Sequence, residues 1–87
     1  DAVCETTGPI TVIDPVLRRR LVVTLEGAQN AVVWNPWKTK GDAIADVGDG
    51  EWRTFLCIEG ANAFENAVRL APGASHTLAY TVAVEPL

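Results

Sequence analysis

Apolar side chains recur at every second position along most of this chain, and that period commits it to strands. In the segment from Leu17, residues Leu21, Val23 and Leu25 share one face, while Arg18, Arg20, Thr24 and Glu26 mostly take the other; Gly27 closes it. From about His76 to Val84, Leu78, Tyr80, Val82 and Val84 alternate with Thr77, Ala79, Thr81 and Ala83, with Pro72-Gly73 as the entry turn. Ile10, Val12 and Asp14 alternate with Thr11 and Ile13 up to the turn signal Asp14-Pro15. Two further runs, Ala31 to Trp34 and Trp52 to Ile58, are apolar on both faces and read as central strands. Ala63 to Leu70 reads as another short strand. Lys38 to Asp46 shows no alternation and holds one or two helical turns before Gly48-Asp49-Gly50 breaks the chain. About six short strands at this turn spacing predict an all-β, antiparallel sandwich with little helix. No layer of helices is available to cover the central strands, so the reading places a partner sheet outside this sequence or in a second copy.

Composition narrows the function classes. At 87 residues the chain is one domain at most, and a piece this size buries only a little over ~60% of its unfolded surface. The first residues, Asp1-Ala2-Val3, carry no initiator Met, so the segment is expected to start inside a longer chain or after processing. A net charge of -4 and a pI near 4.7 argue against a nucleic-acid partner, which needs clustered Lys and Arg. Arg18-Arg19-Arg20 is the one basic run, and on a strand its members point alternately to opposite faces, as at a solvated strand start. Cys4 and Cys57 lack the short-spaced partners of a zinc or redox site. With no apolar run near ~18 residues and no signal-peptide pattern, the expectation is a soluble cytoplasmic protein with free thiols and no membrane partner.

Glu59 is the residue with most chemical potential. It ends the apolar run Phe55-Leu56-Cys57-Ile58 and precedes Gly60, which reads as a carboxylate at the mouth of the core. Burial there would raise a Glu pKa above its usual ~4.3 and make it a better base, while hydrogen-bond donors would oppose this. Position alone better suits a strand-end Glu facing solvent or pairing with an Arg such as Arg53.

Three ordered blocks shift the balance toward the base. Val32-Val33-Trp34-Asn35-Pro36-Trp37, then Asp46 with Gly48-Asp49-Gly50-Glu51-Trp52, then Phe55-Leu56-Cys57-Ile58-Glu59-Gly60-Ala61-Asn62, resemble the closing signature of hexose-6-phosphate mutarotases in the aldose 1-epimerase superfamily. Ile13-Asp14-Pro15 with Leu17-Arg18-Arg19 is similar to the segment before the tryptophan block, so residues 1–87 resemble the carboxy-terminal part of one galactose mutarotase-like β-sandwich domain. The resemblance implies that Glu59, with Ile58 in place of the usual Val, is the general base. It would take the anomeric hydroxyl proton while a His protonates the ring oxygen, and reclosure of the opened hexose 6-phosphate gives the other anomer. Both steps are acid or base catalysis and imply no cofactor. The family's acid His and phosphate-binding Arg residues match nothing in this chain; His76 reads as a surface or rim residue.

Aromatic faces suit the apolar face of a pyranose. Trp34, flanked by Val32 and Val33, reads as core, whereas Trp37, just past Asn35-Pro36, is the candidate pocket wall. Asn35 and Asp46 complete the candidate substrate-binding set, with turn or loop capping as the competing role. The alternative function is a noncatalytic β-sandwich binding carbohydrate or a protein partner, and self-assembly through an exposed sheet edge is a third possibility.

Overall fold

The structure, a computed structural model, describes residues 2–6 and 8–87. Among the described residues six strands, β1 (Ala2–Glu5), β2 (Ile10–Asp14), β3 (Arg19–Glu26), β4 (Asn30–Trp34), β5 (Cys57–Ala61) and β6 (Ala79–Pro86), form two antiparallel sheets ordered β1-β4-β5 and β2-β3-β6. One short helix, α1 (Trp37–Ala43), and 3-10 turns at Glu51–Thr54 and Phe64–Asn66 complete it. The chain is all-β, as the alternation predicts.

The β2–β3 hairpin shows how local chemistry sets the register. Asp14 opposes Arg19 as the last rung, its carboxylate accepts the Leu17 N–H, and Arg19 Nε donates to it at 3.0 Å. Those two donors hold the Asp14 carboxyl below its ordinary range, the Leu17 N–H contributing most. Arg18 takes the left-handed conformation in the turn, and Arg20 reaches Glu85 on β6 at 3.7 Å. The basic run is thus divided among a turn and two faces.

Residues directly opposed in an antiparallel pair share a face. In the second sheet that puts Val12, Leu21, Val23, Tyr80 and Val82 together, facing Phe55 and Ile58 across a cleft of about 530 Å³. Among the described residues only Val23, Ala28 and Ala31 are buried apolar residues, and Tyr80, Val82 and Val84 remain 51%, 59% and 61% exposed. The strands of the second sheet therefore keep much of their apolar face in the open. Cys4, level with Ala31, and Cys57, level with Trp34, point to opposite faces of the first sheet, which keeps the two free thiols apart.

Five boundaries differ from expectation; the first is β3, expected from Leu17, which begins at Arg19 because residues 15–18 form the hairpin turn. The run Trp52–Ile58 is not a central strand. Asn35-Pro36 turns the chain out of β4, so Trp34 opposite Cys57 is the final rung, and residues 51–54 coil into the 3-10 turn after the positive-φ residues Gly48 and Gly50. The strand that follows, β5, lies at the sheet edge. The expected strand over 63–70 is absent, since Asn30 Oδ1 accepts the Ala63 N–H at 2.9 Å and an Asn66 amide hydrogen at 3.2 Å, drawing the backbone into a 3-10 turn. The last strand begins at Ala79 and not His76, because its partner β3 ends at Glu26. Strand β1, only four residues long, was not read from the sequence; pairing with β4 creates it.

Candidate functional site

Glu59 lies mid-strand in β5, opposite Val32 of β4, which opposes Val3 of β1. Its neighbours Ile58 and Gly60 turn toward the second sheet: Ile58 lines the cleft, and a side chain at Gly60 would meet Leu25, Leu78 and Tyr80. Glu59 therefore projects from the opposite face, together with Cys57 and Trp34 one rung pair away. It is exposed, and among the described residues it forms no ion pair or side-chain hydrogen bond. The expected placement at the mouth of a buried core is thus corrected: with the preceding residues coiled away from the sheet, no apolar run encloses the carboxylate. Pairing with Arg53 does not occur either, since that guanidinium lies 5.2 Å over the Trp52 ring.

Beside this face lies an aromatic and cationic ridge. Asn35 organises it: its amide donates to the carbonyls of Trp52 at 2.8 Å and Phe55 at 2.7 Å, and its Oδ1 accepts the Trp37 N–H at 2.9 Å. One amide thereby ties the start of α1 to both ends of the turn leading into β5. Trp37 has φ of 64°, a left-handed conformation that a bulky side chain rarely adopts, and it is 69% exposed. Its ring stands 4.8 Å from that of Trp52 at 47°. Trp34, half-buried, is 6.4 Å from Phe55 and carries the Lys40 ammonium 5.5 Å from its ring centre.

Of the candidate residues, Asn35 and Trp37 are joined directly, and Glu59 shares a sheet face with Trp34 beside them. The three hydrogen bonds of Asn35 are those of a clamp within the chain. Asp46 stands apart, exposed in the turn after α1, with no side-chain hydrogen bond among the described residues. The acidic residue that does tie this region together is Asp42. It accepts the Gly50 N–H and the Lys38 ammonium, each at 2.9 Å, and both hold its carboxyl below the ordinary range, the Gly50 N–H foremost. The Lys38–Asp42 spacing of four was a legible helix signal; the Gly50 contact was not.

Two further contacts escaped the sequence reading. His76 and Asn62 both bind the Gly27 carbonyl, each at 2.8 Å, and Asn62 Oδ1 accepts the Gln29 N–H at 3.0 Å, holding the β3–β4 loop against the chain that follows β5. The Tyr80 hydroxyl accepts the Gly60 N–H at 2.9 Å. Among the described residues no three His, Cys, Asp or Glu side chains converge as metal ligands, and no helix is long and apolar enough to cross a membrane.

The aldose 1-epimerase family model matches residues 1–83. A Cenchrus ciliaris protein named as a candidate glucose-6-phosphate 1-epimerase is 47% identical over 64 residues, which cover 74% of this chain and 19% of that protein. The chain thus spans about a fifth of the length of that curated relative. No solved structure matches. With the family model covering nearly all of the chain, and a relative approaching half identity across most of it, this protein belongs to the aldose 1-epimerase family.

Proposed function

We propose that this chain is the base-bearing, carboxy-terminal segment of a hexose-6-phosphate 1-epimerase domain, interconverting the α and β anomers of a hexose 6-phosphate. Family membership supports the reaction type, and the name of the Cenchrus ciliaris relative supports the phosphosugar. The observation that carries the reading is Glu59: an unpaired, accessible carboxylate on a sheet face that also holds Trp34, beside the Trp37 ridge. Glu59 removes the proton from the anomeric hydroxyl while an acid supplied from outside this segment protonates the ring oxygen. The ring opens to the aldehyde, the C1–C2 bond rotates, and reclosure returns both protons. Such a cycle consumes nothing and uses acid–base chemistry alone.

Trp37, Asn35 and Asp46 have graded roles in this proposal. Trp37 offers an exposed aromatic face to the pyranose, in a conformation whose backbone strain is maintained by the Asn35 bond and the Trp52 contact. Asn35 shapes that wall, whereas Asp46, in the turn after α1, is the outlying member of the set. The apolar faces of Tyr80, Val82 and Val84, open here, are covered by the rest of the longer polypeptide, which also brings the acid.

The test is anomer exchange of glucose 6-phosphate by magnetisation-transfer NMR on the complete protein. Glu59→Gln should lower the exchange rate by ~10²- to 10⁴-fold. Near-normal exchange would remove Glu59 from the mechanism, and sugar binding without exchange in the unsubstituted protein would favour the noncatalytic carbohydrate-binding reading.

A further inference from the structure

We infer that Tyr80 is a positioning residue for Glu59, an inference that rests on Glu59 being the base. The Gly60 N–H belongs to the peptide that joins it to Glu59, and it donates to the Tyr80 hydroxyl at 2.9 Å. Tyr80 stands on β6 of the other sheet, so this bond crosses from one sheet to the other at the residue beside the carboxylate.

Gly60 is shaped for the contact. A Cβ there would meet Leu25 Cδ2 at 3.2 Å and both Leu78 Cδ2 and Tyr80 Cε1 at 3.4 Å, so the bare backbone lets the three side chains close on it. The peptide is held from the cleft side while the Glu59 side chain leaves on the other. Fixing the peptide plane fixes the Cα–Cβ direction of Glu59, and a catalytic group must be held within roughly 0.5 Å and 10–20° of its working geometry. The anchor is firm, because β6 pairs with β3 along eight consecutive rungs from Arg19 opposite Pro86 to Glu26 opposite Ala79. Both β5 and β6 are edge strands, but the β5 ladder is the shorter, five residues paired with β4. An edge strand carrying the base is where a brace from the second sheet has most effect.

The test uses the complete protein and Tyr80→Phe, which keeps the ring and removes the hydroxyl. The expected result is a fall in kcat of about tenfold with KM unchanged and the limbs of the pH–rate profile unmoved, because misplacement costs rate without altering sugar contacts or titrating groups. In a Glu59→Gln background the same substitution should cost nothing further. Gly60→Ala, which presses the contact apart, should act in the same direction and covers the case in which Tyr80→Phe fails to fold. Tyr80→Phe and Gly60→Ala within twofold of the unsubstituted rate, alongside an inactive Glu59→Gln, would overturn the positioning role alone. An active Glu59→Gln would overturn the base assignment and this inference with it. A raised KM would move Tyr80 to a substrate contact and also refute it.

Discussion

Asn35→Ala should loosen the whole ridge beside Glu59, and the structure gives the size of the effect. The substitution removes three hydrogen bonds, from the amide to the Trp52 and Phe55 carbonyls and from the Trp37 N–H to Oδ1. At about 1 kcal/mol net for each, and with the half-buried site admitting water to part of what is orphaned, the loss is about 2–3 kcal/mol. In urea, with an m of ~2 kcal/mol/M, that moves the unfolding midpoint down by about 1–1.5 M. Asn35→Asp separates donation from acceptance. The introduced carboxylate still accepts the Trp37 N–H but faces two carbonyl oxygens, so at neutral pH it should be at least as destabilising as Ala. Its folded pKa is then raised above the ordinary ~3.9. The variant is therefore most stable relative to the native protein below that value, where the protonated group donates one bond, and it loses ground as pH rises through the folded pKa. Urea midpoints for both variants across pH, followed by tryptophan fluorescence, test this. A shift under ~0.3 M for Asn35→Ala, or an Asn35→Asp deficit that does not narrow in acid, would refute the clamp.

Three other outcomes follow from contacts already described. Trp37→Ala should raise KM for the sugar phosphate about three- to tenfold with little change in kcat, the scale of one aromatic contact; steady-state kinetics on the complete protein would show it. Gly41→Ala should destabilise by about 1–3 kcal/mol in urea titration, because its Cβ would fall 2.7 Å from Trp52 Cβ. Asp14 and Asp42 both have lowered carboxyl pKa values, so their bonds support the fold fully above the ordinary 3.8 and lose that support as pH falls through the folded values. Removing both with Asn should flatten the acid limb of stability below that point, and an unchanged limb in a pH series of urea midpoints would count against the two contacts.

Much of this protein was decided by the chain itself. Period-two alternation in Ile10 to Asp14, in Arg19 to Glu26 of the run read from Leu17, and in the segment before Val84 produced β2, β3 and β6, because a strand shows its side chains to two faces in turn. The ordered tryptophan, Gly-Asp-Gly and glutamate blocks carried the family, since motif spacing survives where local propensity is ambiguous. Tertiary structure decided the rest. Phe55 and Leu56 have strand-forming composition, yet Asn35-Pro36 ends β4 and leaves them no partner, and a strand exists only where another offers its backbone. Ala2–Glu5 is a strand for the converse reason: β4 has a free side for it. The exposure of Glu59 has the same origin, because the segment expected to enclose it coils away. Its brace by Tyr80 links residues 20 apart in the sequence, and only the approach of the two sheets brings them together.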